Sequence, residues 1–158
     1  VKNVVIERRL PSTIYITIEE HVPFALLQNE SDHQLIDAAG TIIDGADPTD
    51  FTHLKVVSGA DAAANAAPIL DALRTEPELY SEVWAISFQS GRRWDVFLKS
   101  GLEIRLPETD PISAWSKLAV IDREKAITNR DLAVIDLRTP EQLIIEPNIP
   151  VRGEGSQT

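Results

Sequence analysis

The stretch that decides the fold is residues 86–106, ISFQSGRRWDVFLKSGLEIRL. Two glycine-ended triplets, Gln89-Ser90-Gly91 and Lys99-Ser100-Gly101, cut it into short runs in which apolar and polar residues alternate. A three-residue hairpin loop wants a left-handed residue in third place, where glycine has no Cβ to clash. Taking both triplets as such loops sets the register: Ile86 faces Trp94, Leu98 faces Leu102 and Val96 faces Ile104. Each pair is apolar on one face, so the register is self-consistent. A two-residue loop at Ser100-Gly101 would put Leu98 opposite Glu103 instead. On the other face Asp95 meets Arg105, an exposed cross-strand ion pair of modest worth. The stretch therefore reads as an antiparallel meander.

The same turn chemistry recurs upstream at Ala38-Ala39-Gly40, which sets Ile36 opposite Ile42. Earlier still, VKNVVIERRLP (1–11) is followed by STIYITIEEHVPF (12–24), with Leu10-Pro11-Ser12 as the turn. Ile14, Ile16 and Ile18 alternate there with Tyr15, Thr17 and Glu19, the pattern of a half-buried strand. An isolated hairpin is marginal in water, so these strands need a packing partner, and the chain begins where that partner is expected. Two helices interrupt the strands. One spans roughly Ala60 to Arg74, with Pro68 expected to kink or restart it and Glu76-Pro77 to end it. The other starts with Asp110 as cap and Pro111 in the first turn, and runs to about Lys125. Its apolar stripe is Ile112, Trp115, Leu118 and Ala119.

Residues 132–146, LAVIDLRTPEQLIIE, read as a closing hairpin about a three-residue loop, Thr139-Pro140-Glu141. Leu137 then faces Leu143 and Ile135 faces Ile145, all inward, while Ile144 points outward between Gln142 and Glu146. A terminal strand with three consecutive large apolar residues looks like an unprotected edge. Beyond Glu146, Pro147, Pro150, Gly153 and Gly155 predict a disordered tail over 148–158. Antiparallel strands with segregated helices make the class α+β.

The composition narrows the function. The chain has 158 residues, 43 % of them hydrophobic, so a sizeable core is within reach. A formal net charge of -10 argues against nucleic acid or an anionic membrane surface as the main partner. With no Cys there is no disulfide, thiol nucleophile or thiolate metal site. No run approaches the roughly 18 apolar residues of a membrane helix, and the missing initiator Met points to a piece of a longer chain.

No motif points to catalysis. His21, His33 and His53 lack ligand spacing, and the sequence calls for no metal and no cofactor. The acidic loop DGADPTD (44–50) lacks the alternation and closing Glu of a calcium loop. Ser58-Gly59 is neither a nucleophile elbow nor a phosphate loop. Asn29-Glu30-Ser31 matches the glycosylation sequon, a weak signal. Trp84, Trp94 and Trp115 could line a sugar groove, but the register turns Trp84 and Trp94 inward and Trp115 lies on the helical stripe, so core packing is the better reading. Arg93 and Arg138 fall on the outward face, beside Asp95 and Asp136, and in isolation read as ordinary surface arginines.

Four segments taken together carry a resemblance. ERRLPSTIYITIEEHVPFALL (7–27), HQLIDAAGTII (33–43), RRWDVFLKSGLEIRLPE (92–108) and IDLRTPEQLI (135–144) resemble, in order and spacing, the FtsQ/DivIB family of bacterial cell-division proteins. The likeness covers roughly residues 1–147. It implies the hairpin left from a truncated POTRA domain at 1–22, an FtsQ-type β domain at 23–147 with a curved, mainly antiparallel sheet and two helices on one side, and the tail at 148–158. It also implies a non-catalytic scaffold of the division machinery, held in the inner membrane by a single anchor absent here, with this portion in the periplasm at the septum. The partners implied are FtsB and FtsL, with septal peptidoglycan synthesis as the regulated process. FtsB is expected to add a strand beside Glu141, Gln142, Leu143, Ile144 and Ile145, with Arg138 and Arg92 or Arg93 meeting an acidic residue. Enteric members of the family carry aromatics where this chain has Thr139 and Pro147, and Leu143 to Ile145 are expected to compensate. Two other readings compete. One is a POTRA-type strand-adding module of an outer-membrane assembly or secretion protein, which would show repeated units. The other is an enzyme acting on peptidoglycan.

Overall fold

The computed structural model describes residues 3–9 and 13–148. In chain order the strands and helices are β1 (Asn3–Arg9), β2 (Thr13–Glu19), β3 (Ala25–Gln28), β4 (His33–Ile36), β5 (Ile42–Ile43), β6 (Val56–Ser58), α1 (Ala62–Leu73), α2 (Pro77–Ser81), β7 (Val83–Gln89), β8 (Arg93–Leu98), β9 (Glu103–Arg105), α3 (Pro111–Lys125), β10 (Leu132–Asp136) and β11 (Ile144–Pro147). Among the described residues β1 and β2 pair only with each other. The remaining strands form one sheet in the order β11-β10-β9-β8-β7-β6-β3-β4-β5. The class is α+β and most neighbours are antiparallel. Three pairs are parallel, β9 with β10, β6 with β7 and β3 with β6. Each needs a crossover: α3 serves the first, α1 and α2 the second, and a segment with a short 3-10 turn at Pro48–Phe51 the third.

The helices bury their apolar sides against one face of the sheet, over Ala25, Val57, Ile86, Val96, Ile104 and Ile135. Trp115 is fully buried, and its indole N–H donates to the Leu73 carbonyl at 3.0 Å, tying α3 to the end of α1. α3 starts as its sequence predicts, with the Asp110 carboxylate accepting from the Ser113 N–H at 3.3 Å and Pro111 in the first turn. Ile112, expected in the apolar stripe, is exposed, while Trp115, Leu118 and Ala119 are buried. α1 continues through Pro68, whose missing donor is outweighed by burial of Ala66, Ile69, Leu70 and Leu73 around it. Pro77 does not merely end α1; it opens the short helix α2, where a fixed φ suits the first position.

The turns follow their glycines with one correction. Gly40 and Gly101 have φ of 87° and 95°, and the pairs Ile36–Ile42, Val96–Ile104 and Asp95–Arg105 stand as read. Between β7 and β8, however, Ser90 and Gly91 are both left-handed, at φ of 55° and 66°, and the Arg92 N–H donates to the Gln89 carbonyl at 3.0 Å. With Gln89 paired to Arg93, the loop is Ser90-Gly91-Arg92, still three residues but one position further along than read. Trp94 therefore faces Phe88, and Ile86 faces Val96 rather than Trp94. The slip is two residues, so every side chain keeps its face. Trp94 is buried and stacks on Phe88 with centroids 4.5 Å apart. Gly59 answers for the Ser58-Gly59 turn. It has φ of 110°, and a Cβ there would lie 2.4 Å from the Phe88 carbonyl oxygen.

Two expectations about burial fail. A β-bulge between Val83 and Ala85 turns Val83 into the core and throws Trp84 out, leaving it 47 % exposed. In the first hairpin Val4, Ile6, Ile14, Ile16 and Ile18 share one face by register, yet all are exposed rather than half-buried. The expected turn at Leu10-Pro11-Ser12 and the expected tail from residue 149 onward lie outside the described residues.

Candidate partner-binding edge

On the sheet face away from the helices, β8, β9 and β10 carry a cluster of charged side chains: Arg93, Asp95, Glu103, Arg105 and Asp136. In register, Asp95 of β8, Arg105 of β9, Asp136 of β10 and Ile144 of β11 form one row across four strands. Asp95 is buried, not exposed as the sequence reading had it, and burial pushes its carboxyl above the usual carboxylate range. Its ion-pair partner is Arg93 at 3.1 Å rather than Arg105, which turns to Glu103 at 2.6 Å. Neighbours two apart on the same strand win here over the cross-strand pair.

Arg138 lies two residues past the end of β10. Its Nε lies 2.9 Å and 3.1 Å from the two Asp136 carboxylate oxygens, one terminal nitrogen lies 2.6 Å from Oδ2, and the Arg138 backbone N–H adds a bond at 3.0 Å. The fork holds the Asp136 carboxyl below its ordinary range and raises Arg138 in turn, each mainly through this hydrogen bonding. Arg138 thus stands as an oriented cation whose other terminal nitrogen has no partner among the described residues.

The topology gathers the sequence-predicted arginines. β8 runs antiparallel to β9 and β9 parallel to β10. The row beyond Asp95–Arg105–Asp136 therefore carries Arg93 and Arg138, two strands apart, roughly 10 Å by strand spacing. Arg92 is exposed at the hairpin tip beside them. All three stand at the end of the sheet where β11 begins.

β11 is the outermost strand, exposed along its length. It begins at Ile144, not at Glu141: Thr139-Pro140-Glu141 is the turn, Glu141 is left-handed at φ of 62°, and the Gln142 N–H donates to the Thr139 carbonyl at 3.2 Å. Leu143 packs against the core, and Ile135 faces Ile145 as read. Ile145 is nevertheless 40 % exposed, because among the described residues no strand lies beyond it.

Two bonds fix which way this edge points. The Leu137 N–H donates to the Arg105 carbonyl at 2.9 Å, so Ile135 and Leu137 address β9, and Val134 and Asp136 address β11. The Asn148 N–H donates to the Asp131 carbonyl at 3.1 Å, which by alternation directs Ile144 and Glu146 toward β10. The backbone N–H and C=O of Ile145 accordingly face the open edge. Pro147 shares that phase, where its missing donor breaks no bond. Below the edge, a groove of about 560 Å³ runs between α3 and the last hairpin, with Ala114, Leu118, Ile121, Leu137 and Leu143 in its lining.

Residues 25–138 match the family described as cell division protein FtsQ/DivIB, C-terminal. The chain belongs to the FtsQ/DivIB family. Cell division protein FtsQ of Caulobacter vibrioides is 37 % identical over 147 residues, covering 93 % of this chain and 49 % of that protein. FtsQ of Rhizobium meliloti is 33 % identical over 146 residues, covering 92 % and 47 %, and FtsQ of Rickettsia bellii 33 % identical over 147 residues, covering 92 % and 54 %. The chain spans about half the length of these curated relatives. Among solved structures, the major extracytoplasmic domain of DivIB from Geobacillus stearothermophilus aligns with 71 % of this chain and 99 % of its own at 12 % identity and a TM-score of 0.40. That likeness is too slight to add to the strand order above.

Several features of this FtsQ-family edge escaped the sequence. The Asp136–Arg138 clamp was visible only as an i,i+2 pair, and its bidentate geometry depends on β10 ending between the two. The burial of Asp95 depends on its neighbours in the row. His21 has no signal in the sequence beyond its lack of ligand spacing. Its Nδ1 lies 2.9 Å from Asp37, whose other oxygen accepts from the Ala39 and Thr41 N–H groups at 3.0 Å and 2.9 Å. No helix of the described residues is long and apolar enough to cross a membrane, and none of their His, Asp and Glu side chains cluster as a metal site would require.

Proposed function

We propose that this chain is a non-catalytic docking module of the division machinery that accepts a strand from an FtsB-like partner, bound with an FtsL-like protein, along β11. The observation that carries this is the open phase of Ile145 on an apolar terminal strand. Main-chain bonds there supply affinity, and side chains select the partner. An exposed edge of this kind is otherwise blunted by charge or proline, and here Pro147 stands only at its far end. Arg138, and Arg92 or Arg93, offer the cationic contacts for an acidic side chain on the incoming segment. Thr139, Glu141, Gln142 and Leu143 form the adjoining corner, with Leu143 and Ile144 supplying apolar surface in place of the aromatics absent at Thr139 and Pro147. In this reading residues 1–22 are the last hairpin of a POTRA domain, whose missing part would cover the exposed isoleucines, and 23–147 are the β domain. An upstream anchor would hold the protein in the inner membrane with this portion outside it, where the complex regulates septal peptidoglycan synthesis.

The test is titration of the C-terminal segment of an FtsB-like protein into the wild-type chain, Arg138→Glu and Ile145→Pro, with folding verified for each. Saturable binding that both substitutions weaken by about tenfold or more supports the edge, since a desolvated charge reversal exceeds the worth of an exposed pair. Unchanged affinity in both folded variants places the docking site elsewhere.

A further inference from the structure

A second surface lies on the same face, at the other half of the sheet. The β7 bulge leaves Trp84 exposed on one side of an open groove of about 530 Å³, within the range of ligand sites. Leu26 of β3 and Val56 of β6 line it, with Pro48, Thr49 and Thr52 from the crossover segment and Asp32, His33 and Asp47 as its ionisable groups. Bulges recur where a side chain is re-aimed for function. Without this one Trp84 would be buried, as its alternation predicts.

Trp84 has its indole N–H free of any hydrogen-bond partner among the described residues, whereas the indole of Trp115 is committed to Leu73. The groove's polar chemistry has one sign. Asp47 uses only Oδ1 to accept from the Thr49 N–H and hydroxyl, at 3.0 Å and 2.8 Å, which leaves Oδ2 open. The Asp32 carboxylate has no hydrogen-bond or ion-pair partner among the described residues. No lysine or arginine lines the groove, and the chain as a whole carries -10.

We propose that this groove binds an extended peptide segment of a partner protein in which arginine or lysine alternates with apolar side chains. An apolar side chain would rest on Leu26 and Val56. The cation would lie over the Trp84 ring, where the quadrupole attracts it, within reach of Asp32 and Asp47. An acidic segment is disfavoured by the same two carboxylates. The surface is distinct from the β11 edge, since β8, β9 and β10 separate β7 from β11.

The experiment is a titration of the isotope-labelled chain with the hexapeptide acetyl-(Leu-Arg)3-amide, followed through the Trp84 indole N–H resonance. The (Leu-Glu)3 peptide and a soluble N-acetylglucosamine oligomer serve as comparison ligands. The expected result is a saturable shift of Trp84 and its neighbours with the arginine peptide alone, weakened severalfold by raised salt. Trp84→Ala should lower the affinity by about fivefold or more and Asp32→Asn by a smaller factor, while Trp84→Phe retains part of it. A shift with the glutamate peptide of equal size, or with the glycan alone, overturns the proposal; the latter would make the groove a carbohydrate site. Saturation with no movement at Trp84, or undiminished binding in a folded Asp32→Asn, Trp84→Phe double variant, overturns it too. Because the readout sits on β7, failure here leaves the β11 docking reading untouched, and the reverse holds.

Discussion

Two adjacent prolines on β11 should behave oppositely. Ile144 addresses β10 opposite Asp136, and Ile145 addresses open solvent. Ile144→Pro removes a ladder donor and strands the Asp136 carbonyl beneath a half-buried corner. A net hydrogen bond is worth about 0.5–1.5 kcal/mol and an orphaned partner about 1–3 kcal/mol, so a loss of about 2 kcal/mol is expected. For a chain of this size that corresponds to a fall in Tm of about 4–8 °C. Ile145→Pro removes no internal donor and trims a side chain that is already 40 % exposed. Its stability cost should stay below about 1 kcal/mol. Thermal unfolding by circular dichroism gives the two Tm values. Amide exchange at Val134 and Asp136, which face β11, reports the ladder directly. Faster exchange at these amides in Ile144→Pro but not in Ile145→Pro is the signature. A larger Tm loss for Ile145→Pro than for Ile144→Pro would mean that the phase of the edge is inverted, and with it the argument that Ile145 is the docking position.

Three further outcomes follow from the packing. Trp94→Ala removes a buried ring stacked on Phe88 and should cost about 3–5 kcal/mol in denaturant unfolding; an unchanged midpoint would refute the β7–β8 register. Asp95 has its folded pKa raised by burial, so its ionised form opposes folding above that pKa and the penalty fades as pH falls toward the unfolded value. Asp95→Asn should therefore raise Tm near neutral pH, and the gain over wild type should shrink on acidification; a gain that grows with acid would reverse the assignment. Hydrogen exchange should show Asn3–Arg9 and Thr13–Glu19 less protected than Val83–Leu98 in a chain shown to be monomeric, because the described side chains of the first hairpin are exposed; equal protection contradicts that.

Much of this protein could be read from local chemistry alone. Period-two alternation and glycine-ended turns set the meander, and even where the Ser90-Gly91 turn shifted the pairing, the shift was two residues and no side chain changed face. Asp110-Pro111 marked the start of α3 because capping involves only neighbours in the chain. Alternation, capping and turn preference act over a few residues, so they are written locally. What the tertiary structure decided concerns residues whose state depends on what lies across a strand. Trp84 is exposed because one bulge inverted a single position, which no alternation can announce. Asp95 is buried because its neighbours in the charged row close over it. The isoleucines of the first hairpin alternate as in any half-buried strand, but burial needs a second surface, and a strand's own pattern does not supply one. The direction of the β11 edge is of the same kind. LAVIDLRTPEQLIIE implies a hairpin, but which of its backbone groups face outward depends on the bonds from Leu137 to Arg105 and from Asn148 to Asp131, and these exist only once β9, β10 and β11 lie side by side.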